Sequence, residues 1–347
     1  MKYNMKQVLN GISRILKYLL FFLFILSIHS CKNDLSKRDL RNINIDVKIN
    51  RFEQSLFQVN PDTMSLAVSY FNKTLDDFFE IFTYHIISIG SINERSFNEN
   101  LSEFVTNRQN QEVYHEVMKA FPDLRVYEEE FLQAFKIFNY YFPEDNIPNL
   151  VSYIGGFNYP TFTVGNYAGI GLDMYLGIEN DYYTRLGLSE YQKKNLYPEK
   201  LVSDLLYNWS NELFPFNDSV ENLLSHIVHE GKLVYFIDRL LPETETEIKF
   251  GFSEEEFHWA KNNEEQMWVY LIEHKLLYSS DIMDIRKLVS PAPYTSFFTD
   301  ASPGRAAVWN GYRIVKEYSR KNPELSLKDI MLETDYQKIL GGSKYNP

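Results

Sequence analysis

Cysteine occurs once in the 347 residues, at position 31, and its surroundings decide how much of the chain can fold. Ahead of it Lys2, Lys6, Arg14 and Lys17 stand without any acidic residue, followed by an apolar run over 18–26 and then Ile28, His29 and Ser30. A basic segment, an apolar segment and a small residue before the cut are the parts of an export signal. The apolar run, about ten residues, is well short of the roughly twenty that a bilayer-spanning helix needs. Ser30 before Cys31 also fits the lipobox at which bacterial lipoproteins are cut and acylated. Residues 1–30 are therefore expected to be a lipoprotein signal peptide, and Cys31 the lipidated N-terminus of the mature protein.

With that thiol taken by lipid, the mature chain can form no internal disulfide and has no thiol nucleophile. Its stability must come from packing. About 317 residues remain, and an aromatic content of 16% is enough for a large core. Taking the four leader cations from 35 basic residues, against 47 acidic ones, leaves the remainder at −16. Such a balance argues against nucleic acid as a partner and leaves no basic face for anionic lipid. The acyl chains are the expected membrane anchor. Lys32 follows Cys31, where an Asp commonly retains lipoproteins at the inner membrane, so the outer membrane is the favoured side of the cell envelope.

Residues 31–41 are polar and read as a tether, and 42–347 as a single domain. Ile43, Ile45, Val47 and Ile49 alternate with polar residues, the period of a half-buried strand. Aromatic residues at three- and four-residue spacings predict helices near 61–83, 98–120 and 124–142, an N-terminal helical lobe reaching about 146. Between 147 and 177 short β-prone runs are punctuated by glycines, including Gly155, Gly156, Gly169 and Gly171, and are expected to be edge strands lining a cleft. Helical patterns resume at 198–213, 219–241, 253–278 and 302–320, with another starting at Ser326. Ser253 and Glu256 form a capping-box pattern, and Ser302 before Pro303 resembles a helix start. The fold class is α+β, predominantly helical with a small sheet.

Few residues suggest chemistry. His229 and Glu230 begin a zinc-peptidase HExxH pattern, but Leu233 occupies the second histidine position, so the motif fails. His226 and Glu230 lie four apart on one helix face and could offer two metal ligands, which is weak evidence by itself. There is no nucleophile elbow, phosphate loop or dinucleotide fingerprint. No catalytic residue, metal or cofactor is expected. If a site exists, its composition is a cleft holding Asp173, Glu230 and Arg305 between aromatic walls. Arg305, placed in a first helical turn whose end is partially positive, is expected to be held by a carboxylate such as Asp300, with ligand binding as the alternative.

Several blocks in order resemble the gliding-motility lipoprotein GldB family over essentially the full length. They are the lipobox at Cys31; Arg51-Phe52-Glu53; Tyr153-Ile154-Gly155-Gly156-Phe157; the run 170–177; Glu230-Gly231-Lys232; Ser302-Pro303-Gly304-Arg305 with Trp309; and the tail with Ser343, Lys344 and Tyr345. The resemblance implies a membrane-attached envelope protein required for gliding and associated with the gliding and type IX secretion machinery. Its implied partners are other gliding or secretion lipoproteins and envelope components. A weaker likeness sets 223–236 beside the second helix of zincin-type peptidases, with Glu230 at the third ligand position. The helix that should carry HExxH, 201–209, contains no histidine. A degenerate zincin-like fold with its metal site lost is the implied variant. Docking without catalysis is thus the leading expectation. A zinc- or carboxylate-dependent envelope hydrolase, using acids such as Asp173 and Glu230, and a purely structural anchor are the alternatives.

Overall fold

The alternation that opens the folded chain survives as alternating burial: Val47 and Ile49 are buried, while Asn44, Asp46, Lys48 and Asn50 are exposed. The structure is a computed structural model that describes residues 40–347, so Cys31, the leader and most of the tether lie outside the described residues. Ile43–Pro347 form one compact unit. Only Ile49–Arg51 (β1) enters a ladder, pairing in parallel with Asn149–Tyr153 (β2) from Ile49 opposite Leu150 to Arg51 opposite Ser152. Since β2 begins at Asn149, no strand stands opposite 43–47.

The sheet is completed by Thr161–Val164 (β3) and Tyr167–Gly171 (β4) in the order β1-β2-β4-β3. Strands β2 and β4 are parallel, and β3 turns back antiparallel against β4. This corrects the expectation for the two glycine-punctuated runs. They are the central strands, and the edges are β1 and β3. Four of the five residues of β2 and of β4 are buried, as a strand covered on both faces requires. The second run also leaves the sheet early, since Leu172–Tyr175 is a 3-10 turn.

Helices of six residues or more are α1 (Phe52–Phe57), α2 (Met64–Ile81), α3 (Phe97–Thr106), α4 (Arg108–Ala120) and α5 (Arg125–Tyr141) before the sheet is complete. After it come α6 (Leu201–Leu213), α7 (Leu223–Leu240), α8 (Glu254–Asn262), α9 (Glu264–Glu273), α10 (Ile282–Val289), α11 (Ala307–Lys321), α12 (Leu327–Leu332) and α13 (Tyr336–Ser343). The periodic stretch 98–120 is two helices because Asn107 interrupts it: its side chain accepts from the Gln109 and Asn110 amides, capping α4. The stretch 253–278 is likewise divided, at Asn263. The capping boxes at Ser253 with Glu256 and at Ser326 with Asp329 both form.

Two aromatic centres fill the interior. Phe52 is met edge-on by Phe71, Phe78, Phe79 and Phe82 at centroid distances of 5.0–6.1 Å. Beside it Glu53 is fully buried, taking hydrogen bonds from Arg51 Nε at 2.7 Å and Ser152 Oγ at 2.6 Å, so the acid ties α1 to both β1 and β2. The second centre joins Phe138 of α5, Trp209 of α6 and Phe236 of α7. Helix α7 is buried along most of its length and packs most extensively on α11. That pair positions the candidate site.

Candidate functional site

Glu230 and Arg305 reach each other because α7 and the start of α11 approach closely. At the crossing Gly231 and Gly311 face each other, and neither has room for a Cβ. Arg305 does not lie in a first helical turn as expected. Helix α11 begins at Ala307, and Arg305 precedes it with φ +54°, in the left-handed region. The turn before it is held by Thr295, fully buried, whose hydroxyl donates to the Pro303 carbonyl at 2.8 Å and accepts from the Ala306 amide at 2.9 Å. Ser302, expected as a helix cap, instead accepts from the Thr295 amide at 3.1 Å and donates to the Thr299 carbonyl at 2.6 Å. A hydroxyl from outside the segment thus satisfies an amide at the helix start that the local Ser-Pro pattern was expected to cover.

The carboxylate that holds Arg305 is Glu230, 75 positions away, and not Asp300. Arg305 Nη2 donates to Glu230 Oε2 at 2.7 Å and to the Tyr207 hydroxyl at 3.0 Å. Tyr207 itself donates to the same Glu230 oxygen. Its ring lies under the guanidinium, 5.3 Å from centroid to Cζ. Burial raises the Tyr207 pKa well above the usual phenol range; Arg305 pulls it down and Glu230 pushes it up, and the hydroxyl stays a donor. Glu230 Oε2 therefore accepts from two donors at once. That is the geometry of a fixed strut, whereas a general base must reach a substrate proton.

Beside this triad opens a cleft of about 360 Å³. Its charged lining is Lys194, Lys200, Lys249 and Arg305, with Asp204 as the acid, and Phe250, Phe252 and Pro291 add apolar wall. Each lysine is paired: Lys194 with Glu256 at 2.6 Å, Lys200 with Asp204 at 2.7 Å, and Lys249 with Asp238 at 2.6 Å. Lys200 and Lys249 are buried, and such charges are retained only when paired.

The structure brings Glu230 and Arg305 together but puts Gly155, Gly156 and Asp173 elsewhere, at the end of β2, outside the cleft lining. Asp173 is fully buried, and its Oδ2 accepts from the Gly155 amide at 3.1 Å and the Phe157 amide at 2.7 Å. It braces a turn in which Gly156 and Phe157 both have positive φ, +68° and +64°, conformations that cost a residue with a Cβ. Oδ1 is buried without a partner. Burial raises the Asp173 pKa to about 6, against the pull of those amides. The acid expected beside Glu230 is a brace for this turn.

The histidines do not join Glu230. His226 stacks on Phe216 at 4.3 Å between centroids, with Nε2 3.5 Å from a Glu221 oxygen. His229 is buried, its Nδ1 3.4 Å from the Tyr336 hydroxyl, and burial lowers its pKa to about 4. Among the described residues no three His, Cys, Asp or Glu side chains are grouped so that they could hold a metal ion, and no helix is long and apolar enough to cross a membrane.

The sequence reading missed Lys200, Asp204 and Tyr207. A signal for them existed, because positions 200, 204 and 207 are spaced as one helix face, at the N-cap and in the first turns of a helix whose buried side carries Leu201, Leu205 and Leu206. No local pattern marks Lys194 or Lys249, which reach the cleft from separate short segments.

Compared with known proteins, residues 33–347 match a family model described as gliding motility protein GldB. No curated protein and no solved structure matches. The likeness to zincins remains an expectation of the sequence.

Proposed function

The chain belongs to the gliding motility protein GldB family, and from that premise we propose that it serves gliding as a lipid-anchored envelope protein whose cleft docks other components without catalysis. Involvement in gliding motility follows from the family. The finer parts of the reading are the anchor on Cys31, residence at the outer membrane, and contact with the gliding and type IX secretion machinery. They are supported by the lipobox and by the resemblance in the sequence blocks.

One observation carries the non-catalytic part: the acids at the cleft are engaged. Asp204, the acid in the lining, is paired with Lys200 at 2.7 Å, and Glu230, behind Arg305, has Oε2 engaged by both Tyr207 and Arg305. Asp173, the second acid of the hydrolase alternative, is buried under its own turn and does not line the cleft. Paired-acid hydrolysis needs two carboxyl groups facing each other across a substrate.

The test is a chromosomal Glu230→Gln exchange beside a clean deletion, scored by colony spreading with protein abundance measured. Gln keeps an oxygen that accepts from Tyr207 and Arg305 but has no basicity. Spreading is expected to persist in Glu230→Gln and to vanish in the deletion. Loss of spreading in Glu230→Gln at normal abundance would return the cleft to a carboxylate-dependent hydrolase, and normal spreading in the deletion would remove the link to gliding.

A further inference from the structure

The chain has a formal net charge of −12, yet four cations and one acid line its cleft. Three of the paired carboxylates, Glu256, Asp238 and Glu230, stand behind their cations and are not part of the lining. The cleft wall therefore offers hydrogen-bond donors, while the charges of the four pairs balance.

Not all of those donors are spent. Lys249 gives two of an ammonium's three N–H groups, to Asp238 Oδ1 at 2.6 Å and to the Leu241 carbonyl at 3.0 Å. Arg305 uses Nη2 for Glu230 and Tyr207, while its Nε is buried without a partner. A buried donor left unpaired is costly, and here it belongs to a guanidinium at the cleft wall. Balanced charge with spare charged donors suits a ligand with one negative charge. A phosphate dianion or a polyanion would need an excess of positive charge that this set lacks. Phe250, Phe252 and Pro291 provide apolar surface for the rest of the ligand. A cleft of about 360 Å³ is near the lower end of small-molecule sites.

We infer that the cleft binds a single carboxylate borne on a small apolar body, such as the C-terminal end of a peptide chain or a short acyl chain. The carboxylate meets Lys249 and Arg305, and the apolar body lies against Phe250 and Phe252. The inference rests on the docking reading of the cleft but is measured apart from motility.

The experiment is calorimetric titration of the full-length protein in detergent with three probes: an acetylated Leu-Val-Phe peptide acid, the same peptide as its C-terminal amide, and hexanoate. The peptide acid is expected to bind, and the amide to bind more weakly by roughly tenfold or more, the value of a charge-assisted hydrogen bond. Lys194→Gln, at a partly exposed position of the lining, is expected to weaken the acid a few-fold in a protein that still unfolds in one cooperative transition, with Tm lowered by the loss of its pair with Glu256. Binding of hexanoate without the peptide acid would support the same carboxylate site and assign it to acyl chains. Equal binding of acid and amide, or no binding of either acid up to millimolar concentration, overturns the inference. If carboxylate binding fails while filling the cleft still blocks spreading, the ligand class is wrong and the docking reading stands.

Discussion

Gly231 and Gly311 meet backbone against backbone where α7 crosses α11. A Cβ on Gly231 would stand 2.1 Å from the Gly311 carbonyl carbon, and one on Gly311 would stand 1.7 Å from the Ile227 carbonyl oxygen. No rotamer change relieves a clash with backbone, so the helices would have to separate, and with them Glu230 and Arg305.

Alanine in place of either glycine is therefore expected to destabilise, although in an ordinary helix interior the exchange stabilises by about 1 kcal/mol. Over-packing of this kind costs on the order of 3 kcal/mol, a fall in Tm of about 5 °C for a domain this large. Gly341 in α13 has open space around its Cβ position, and Gly341→Ala should leave Tm level or raise it. Thermal unfolding followed by circular dichroism decides; a neutral Gly311→Ala would mean the crossing is looser than described.

The Arg305 and Glu230 side chains are 17% and 23% exposed, between a surface pair and a buried one. Arg305→Ala and Glu230→Ala are each expected to cost about 1–3 kcal/mol, because each leaves a partner behind. The double variant should cost less than the sum by at least about 1 kcal/mol, since the second removal takes away a group already orphaned. Additive costs in a denaturant double-mutant cycle would show that the two side chains do not act as a pair.

Two buried groups give opposite pH dependences over the same range. Asp173 has a folded pKa raised to about 6, from 3.8, by burial, so its contribution is fully present below 3.8 and is lost as pH rises through 6. His229 has a folded pKa lowered to about 4, from 6.5, also by burial, so its contribution is present above 6.5 and is lost as pH falls through 4. Each is worth on the order of 3 kcal/mol, and between pH 4 and 6 they largely cancel. Asp173→Asn should make Tm fall more steeply than wild type on acidification, and His229→Phe should make it fall less or rise. Parallel Tm curves for the three proteins would refute both assignments.

Asn208 on α6 lines the cleft, so a bulky side chain there fills the space while Glu230, Arg305 and Tyr207 all keep their own side chains. Asn208→Trp is expected to keep normal abundance and a Tm within a few degrees of wild type, and to abolish spreading. A strain that spreads normally with a filled cleft would leave the protein as a structural anchor. Gly156, expected from the sequence to line a cleft, is no substitute position, because it lies outside the lining and its φ of +68° strains any side chain there.

The sequence by itself determined what depends on neighbours along the chain. Alternation at 43–49 foretold the burial of Val47 and Ile49, aromatic spacing foretold the helices within 61–83 and 124–142, and the Ser253 capping box formed as read. It also gave the family, since the blocks that carry the resemblance fall inside the matched residues 33–347, apart from the lipobox. Some of those blocks now have physical reasons: Glu53 ties α1 to the sheet, and Gly231 permits the helix crossing. Only the tertiary structure decided which residues share a site. Glu230 found Arg305 across 75 positions and Tyr207 across 23, while Asp173 and the histidines, adjacent in the sequence argument, were drawn to separate places. Helical period states which face a residue occupies but not which element that face meets. That pairing is settled by where two helices can approach, and here a pair of glycines on different helices sets it.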